Sequence, residues 1–284
     1  MKVIRSPLKL KNFLDLQRKR GARIGFVPTM GYLHEGHLSL VRKAKKENEL
    51  VVVSIFVNPL QFGPKEDFSR YPRNFARDLG LLKKEKVDVI FKPSAKDLYH
   101  DDFQTSIFVT RLSRPLCGRT RPTHFGGVCT VVLKLLNCVM PDVMYLGQKD
   151  YQQFRVIQQM VKDLHFPAKV VMAPIIREKD GLAMSSRNVY LSKTERSEAV
   201  LLNQALREGK KEVGAGQRNT LKIKSAMRRV LKKASSGRLD YLEIVDADTL
   251  QPVVKLTNRS RALMALAVTF GKTRLIDNLI VRIQ

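Results

Sequence analysis

Two histidines three residues apart, His34 and His37, stand in the segment Pro28-Thr29-Met30-Gly31-Tyr32-Leu33-His34-Glu35-Gly36-His37. The segment follows the apolar run Ile24 to Val27 and leads into the helix-like run Leu38 to Lys46, so a strand, a tight loop and a helix start are expected. Positions i and i+3 share one face of a helix. Both imidazoles can therefore project beside the backbone N–H groups of the first turn, where an anion is favoured. That chemistry suits a nucleoside triphosphate; the plainer alternative is a pair that decorates a loop. Zinc fits less well, because the metalloprotease pattern H-E-x-x-H sets its histidines a full turn apart, whereas only Gly36 separates Glu35 from His37. His100, His124 and His165 show no paired spacing with Cys117, Cys129 and Cys138, and of these histidines only His124 invites a site reading.

Further segments place polar groups where apolar runs end. Asn58-Pro59-Leu60-Gln61 closes a very apolar strand. An Asn-Pro turn explains the first two residues, while Gln61 offers a neutral donor and acceptor for a ligand hydroxyl or carboxylate. Gly147-Gln148-Lys149-Asp150-Tyr151-Gln152-Gln153 again runs from strand to helix: Lys149 can contact a phosphate and Asp150 a nucleotide, or the two can be a surface charge and a helix-start residue. The stretch from Arg177 to Asn188 is polar and rich in small residues, which suits a mobile loop. In it Ser185 and Ser186 can donate to a triphosphate that Arg187 grips, or can simply form turns and caps. Arg121 to Val128 reads as a loop leading into an apolar helix, with His124 the residue that this leaves unexplained. No Gly-x-x-x-x-Gly-Lys-Ser/Thr loop is present, so scattered groups of this kind would have to handle phosphates.

The elements that position these loops alternate. Strand-like runs at Ile24 to Val27, Val51 to Val57, Val87 to Phe91, Met144 to Leu146 and Val170 to Ile175 are interleaved with helical patterns at Leu38 to Asn48, Asn74 to Lys84, Val128 to Val139 and Gln152 to Leu164. The expected fold is α/β, with a parallel sheet whose ligand lies beyond the carboxyl ends of its strands. After about Ile176 the texture changes. Two helical patterns, Glu195 to Val213 and Thr220 to Ala234, precede apolar alternation at Tyr241 to Val245, Ala262 to Thr269 and Arg274 to Ile283. The expectation is a larger domain over 1–175 and a smaller α+β domain over 176–284 that closes over the site.

At 284 residues with 44% hydrophobic content, the chain is long and apolar enough to fold into packed cores. Its formal net charge of +26 invites a nucleic-acid reading. The distribution argues against that reading: basic residues recur in nearly every polar segment, while aromatics make up 7% of the chain and tryptophan is absent. A generally basic surface that attracts small anions is expected instead. Cysteines without C-x-x-C spacing, a start that does not resemble a signal peptide, and apolar runs too short to span a bilayer point to a soluble cytoplasmic protein.

Taken together, the motifs resemble those of the pantoate:beta-alanine ligase (pantothenate synthetase) family. The resemblance rests on Pro28 to Gly31 with His34 to His37, Phe56 to Pro59 with Gln61-Phe62, Arg121-Pro122 with His124-Phe125, Gly147 with Lys149-Asp150 and Gln152-Gln153, and Gly181 to Asn188. The run Gly271 to Asn278 also looks like the family's ending. The resemblance implies a Rossmann-like nucleotidyltransferase domain, a smaller C-terminal domain, a homodimer, and ATP used with Mg2+. It further implies an AMP-forming ligation of pantoate and beta-alanine through pantoyl adenylate.

By the same resemblance, His34 and His37 contact phosphates, and Lys149, Ser185, Ser186 and Arg187 grip the triphosphate. Gly147 and Asp150 lie by the ribose, with Met184 also in the ATP set. Met30, Gln61 and Gln153 hold pantoate, joined by Asn58 and His124 as substrate contacts. Thr123 stands where many relatives have glycine, and Arg77 lies in a region often acidic, so protein ligands for magnesium are not assigned. The alternative is a class I aminoacyl-tRNA-synthetase-like adenylating enzyme, suggested by His34-x-x-His37 and Met184-Ser185. Against it, Ala183 and Ser186 stand where the second signature carries lysines.

Overall fold

The run Leu50–Ile55 is buried along its whole length in the computed structural model, which describes residues 1–64 and 66–283. An unbroken β-branched and apolar run of this kind forms a strand only when both of its faces are covered. It is the third strand of a unit comprising residues 1–148 and 153–174. In chain order this unit contains β1 (Lys2–Ile4), α1 (Pro7–Lys19), β2 (Ile24–Thr29), α2 (Glu35–Glu47), β3 (Leu50–Ile55), α3 (Phe75–Lys84) and β4 (Val89–Phe91). The short helices α4 (Ala95–Leu98) and α5 (Cys117–Thr120) follow, then α6 (His124–Val139), β5 (Val143–Gly147), α7 (Tyr151–Asp163) and β6 (Lys169–Ala173).

The six strands pair in parallel in the order β1-β4-β3-β2-β5-β6. The chain builds outward from β2 on one side and then returns to add β5 on the other. The topological switch point therefore lies between β2 and β5. Val27, Val41, Val53, Leu82, Ile90 and Tyr145 form a core on the sheet. Full burial of a side chain such as Val41 or Leu82 contributes roughly 1.5–3 kcal/mol.

The alternation read from sequence holds, with strand and helix ends displaced by a few residues. β1 and α1 were not anticipated. β1 is exposed at Lys2 and Val3, and α1 fully buries only Leu10 and Leu14, so neither carries a strong periodic signal. A proline at its first position and the Ser6 cap start α1. His124, expected in a loop, is the first residue of α6 and is buried. Cys129 is buried, and that burial pushes its thiol up to about 12, whereas Cys138 is half-buried. Among the described residues, no helix is long and apolar enough to cross a membrane.

The second unit comprises residues 149–152 and the chain from Ile175 onward. It contains α8 (Lys193–Ala199), α9 (Leu201–Gly214), α10 (Thr220–Leu231), β7 (Gly237–Asp246), β8 (Arg261–Phe270) and β9 (Thr273–Arg282). Its antiparallel sheet has the order β7-β8-β9, so β9 is an edge strand. Leu202, Leu206, Ile223, Met227, Leu266 and Phe270 form a core of its own.

Two glycines allow close packing by different means. A methyl group at Gly127 would fall 2.0 Å from the Leu60 carbonyl oxygen, which is backbone. At Gly209 it would meet the Met227 and Met264 sulfurs at 2.7 and 2.9 Å, and flexible thioether side chains can move. Gly127→Ala is expected to destabilise by about 3 kcal/mol or more, and Gly209→Ala by about 1 kcal/mol or less, as overpacking depends on what can yield. Urea denaturation midpoints compare the two directly.

Candidate active site

The chain leaves β2 through a tight turn. Gly31 (φ +81°) and Tyr32 (φ +48°) are both left-handed, a conformation that costs a residue with a β-carbon and needs support. Support comes from Asp78 on α3, a buried carboxylate that accepts from the backbone N–H groups of Tyr32 and Leu33, each at 2.8 Å. Burial pushes its carboxyl above the ordinary range, and the two amide donors and the Arg77 guanidinium oppose that shift. Arg77 donates to the Leu33 carbonyl at 2.8 Å and lies over the Tyr32 ring, 5.0 Å from its centroid. The turn is thus braced from α3 on two sides.

Beyond the turn, His34 is the N-cap of α2. Its Nδ1 accepts from the Gly36 N–H at 3.1 Å, and the His37 Nδ1 accepts from the His34 N–H at 3.4 Å. This is a reciprocal capping arrangement with imidazoles in place of the usual hydroxyl and carboxylate. A ring nitrogen that accepts from an amide carries no proton, so in the neutral ring the proton sits on Nε2. The ring centroids are 4.1 Å apart, and both residues are half-buried. Two Nε2–H donors consequently stand together at a helix N-terminus, at the carboxyl end of β2.

The turn after β3 is fixed to the start of α6. The Asn58 side chain is buried with its amide engaged: Nδ2 donates to the Gly127 carbonyl at 3.0 Å, while Oδ1 accepts from the Leu60 N–H and the Tyr99 hydroxyl. The His124 Nδ1 donates to the Gln61 carbonyl at 2.9 Å, and its Nε2 faces Arg121 Nη1 at 3.3 Å. A carbonyl can only accept, so His124 holds the tautomer opposite to that of His34 and His37. Arg121 closes this cluster with a bidentate pair to Glu66 at 2.5 and 2.6 Å, which holds the Glu66 carboxyl below its ordinary range against the opposing effect of burial.

In the second unit, Lys149 Nζ and Asp150 Oδ2 lie 3.6 Å apart. The stretch read as a mobile loop is instead a braced hairpin. Arg177 bridges Ala183, Glu178 accepts from Asn188 Nδ2 at 2.9 Å, and Arg196 pairs with both Glu178 and Asp180. Ser185 caps the following turn by accepting from the Arg187 N–H, which leaves its hydroxyl proton to donate elsewhere; Ser186 is buried. Burial pushes the Asp277 carboxyl up, and its Arg177 partner pulls the other way.

The anticipated residues thus divide between the units. Met30, His34, His37, Asn58 and Gln61 follow β2 and β3, Gly147 ends β5, His124 opens α6, and Gln153 lies on α7. Lys149, Asp150, Met184, Ser185, Ser186 and Arg187 belong to the second unit. Sequence reasoning passed over Asp78, Glu66 and Tyr99 and gave Arg121 no role of its own, although these side chains hold the loops. Asp78 could have been found, since a carboxylate on the apolar stripe of Phe75, Leu79 and Leu82 is buried by its position. Among the described residues, no three His, Cys, Asp or Glu side chains converge as a metal set.

A parallel sheet whose order reverses beside β2, with polar loops at the carboxyl ends flanking that point, defines a doubly wound, Rossmann-like α/β protein, a class in which ligands bind at such a point. The chain belongs to the pantoate-beta-alanine ligase family, whose model matches residues 2–280. It is 54% identical over 280 residues to the pantothenate synthetase of Thermotoga neapolitana, covering 99% of each chain. It is 52% identical over 283 residues to that of Caldicellulosiruptor saccharolyticus, covering 100% of each. The crystal structure of pantothenate synthetase from Thermus thermophilus superposes with a TM-score of 0.92 at 44% identity, over 98% of this chain and 99% of that one. The Francisella tularensis pantoate-beta-alanine ligase, solved with beta-gamma ATP and beta-alanine, gives a TM-score of 0.80 at 37% identity over 99% and 97% of the two chains. These matches displace the aminoacyl-tRNA-synthetase-like alternative.

The cap at α2 separates two roles of one residue. His34→Ala should lose roughly 1 kcal/mol of stability with the N-cap acceptor, and His34→Asn should recover most of it, because asparagine caps well. Thermal melts of the two variants beside the parent check this.

Proposed function

We propose that this chain joins pantoate to beta-alanine with ATP, forming pantothenate through a pantoyl adenylate and releasing pyrophosphate and AMP. The observation that carries this reading is the reciprocal cap of His34 and His37 at the N-terminus of α2, in which each Nδ1 accepts from a backbone N–H. An anion at that place would meet two imidazole rings and the positive end of the helix dipole, the first-turn amides of Gly36 and His37 being already engaged within the cap.

In the first step the pantoate carboxylate oxygen attacks the α-phosphorus of ATP, and the bond from that phosphorus to the β-bridging oxygen breaks. Negative charge accumulates on the departing pyrophosphate. Donors already aligned for that charge lower the barrier without reorganising at the moment of reaction. His34 and His37 serve as such donors, while Lys149 and Arg187 balance the charge, and Ser185 and Ser186 add hydroxyl donors. Gly147 and Asp150 take the ribose and Met184 completes the ATP set. Met30, Gln61 and Gln153 hold pantoate, and Asn58 and His124 support that subsite through the turn they fix. In the second step the neutral amine of beta-alanine, near Gln61, attacks the acyl carbon; the acyl–phosphate bond breaks, AMP leaves, and the nitrogen sheds a proton.

Magnesium would enter this scheme with ATP and would offset phosphate charge, with no protein ligand assigned to it. The assignment of residues 1–175 as the ATP and pantoate domain, and of 176–284 as a smaller domain supplying Met184 to Arg187, belongs to the same proposal. So do a homodimeric state and a cytoplasmic location, which rest on family membership.

The order of steps has a direct test. Labelled pyrophosphate should exchange into ATP with pantoate and magnesium present and beta-alanine omitted, and exchange should vanish without pantoate. Exchange that requires beta-alanine would overturn the adenylate. In the same assay, His34→Asn should fall on the order of 100-fold despite its intact cap, as expected when one donor to a developing charge is lost. Arg187→Lys should retain only part of the activity, because an ammonium group cannot replace bidentate guanidinium contacts.

A further inference from the structure

The final strand carries two adjacent polar residues that a sheet does not require. Asp277 and Asn278 are 2% and 4% exposed, within the otherwise apolar sequence Leu275-Ile276-Asp277-Asn278-Leu279-Ile280-Val281 of β9. Burying a carboxylate and an amide is costly unless both are hydrogen-bonded. Neighbouring residues on a strand direct their side chains to opposite faces, so this pair can reach two separate segments.

Each does so. Asp277 accepts from both terminal nitrogens of Arg177 at 2.6 and 2.9 Å, and Arg177 Nη1 also donates to the Gly181 carbonyl at 3.1 Å. The carboxylate thereby ties down the hairpin that delivers Met184 to Arg187. Asn278 Nδ2 donates to the backbone carbonyl of Lys149 at 2.8 Å. The two are also joined to each other, since the Asn278 N–H donates to Asp277 Oδ1 at 2.7 Å. Residues 149–152 belong to this unit although the chain on either side of them does not, and Tyr151 adds a second tether through its hydroxyl to the Ala247 carbonyl at 2.9 Å.

We infer that Asp277 and Asn278 are positioning residues for ATP: Asn278 sets Lys149 through its carbonyl, and Asp277 sets Arg187 through the Arg177 hairpin. The inference rests on the reading of Lys149 and Arg187 as triphosphate contacts. Neither polar residue touches the nucleotide in this account. Their buried, directed bonds hold the backbone from which the two cations extend, and a misplacement of about 1 Å at such groups can lower a rate by as much as 100-fold.

A double-mutant cycle separates positioning from general support. Asn278→Ala, Lys149→Ala and the double variant are compared by KM for ATP and kcat in pantoate-dependent pyrophosphate exchange, with thermal melts alongside. Asn278→Ala alone should lower kcat/KM for ATP about tenfold or more. In the Lys149→Ala background it should lower it less than about threefold, because residues acting as one unit are non-additive. Asn278→Asp, which keeps the shape and loses the donor, should not rescue. Effects that multiply in full, rescue by aspartate, or an inactive cycle at Asn278 would each overturn the inference. Lys149→Ala with unchanged kinetics would instead overturn the underlying reading of Lys149. The same cycle with Asp277→Asn and Arg187→Ala tests the other half. If Asp277→Asn fails to fold, Asp277→Glu, which keeps the charge and shifts it by one methylene, takes its place.

Discussion

The reciprocal cap between His34 and His37 is the contact on which the candidate site turns. Satisfying orphan amides at the start of α2 is a structural demand that a serine or aspartate could meet. Meeting it with imidazoles has a chemical consequence. Each Nδ1 accepts from a backbone N–H, and in the neutral ring that places the proton on Nε2. A helix start thus becomes a pair of oriented, neutral donors beside a positive dipole end. His124 is the counterexample within the same unit: its Nδ1 serves a carbonyl, so the same residue type holds the opposite tautomer and acts as a brace.

Such donors are useful only if the backbone beneath them is stiff, and buried or half-buried carboxylates supply much of that stiffness. Asp78 spans two consecutive amides of a left-handed turn, where each peptide would otherwise bury an unpaired N–H. Glu66 fixes Arg121 against His124 at the start of α6, and Asp277 fixes Arg177 at the base of the hairpin. A buried carboxylate left unpaired is strongly unfavourable, so Asp78 and Asp277 are each satisfied in only a narrow set of backbone arrangements. In this basic chain, several of its scarce acids hold loops in place.

Much of the fold was legible because its signals are periodic. β3, apolar at nearly every position, and α2, with Leu38, Val41 and Ala44 on one face, declare themselves locally. β1 escaped notice because its pairing with β4 depends on residues far away in sequence, and no local pattern encodes that. The candidate residues were visible for another reason: polar groups at strand ends stand out against apolar runs. The braces did not stand out. Glu66 and Arg121 are 55 residues apart, and nothing in either neighbourhood names the other. The composition of Arg177 to Asn188 suggested mobility, because small residues were counted while the cross-links through Glu178, Asp180 and Arg196 could not be.

The central claim is that backbone capping fixes His34 and His37 as neutral Nε2–H donors. Long-range proton–nitrogen correlation spectra of the imidazoles at neutral pH, assigned with single histidine variants, measure this directly. The account predicts an unprotonated Nδ1 and a protonated Nε2 for both His34 and His37, with His124 showing the reverse. A proton on Nδ1 of His34 or His37 would contradict it.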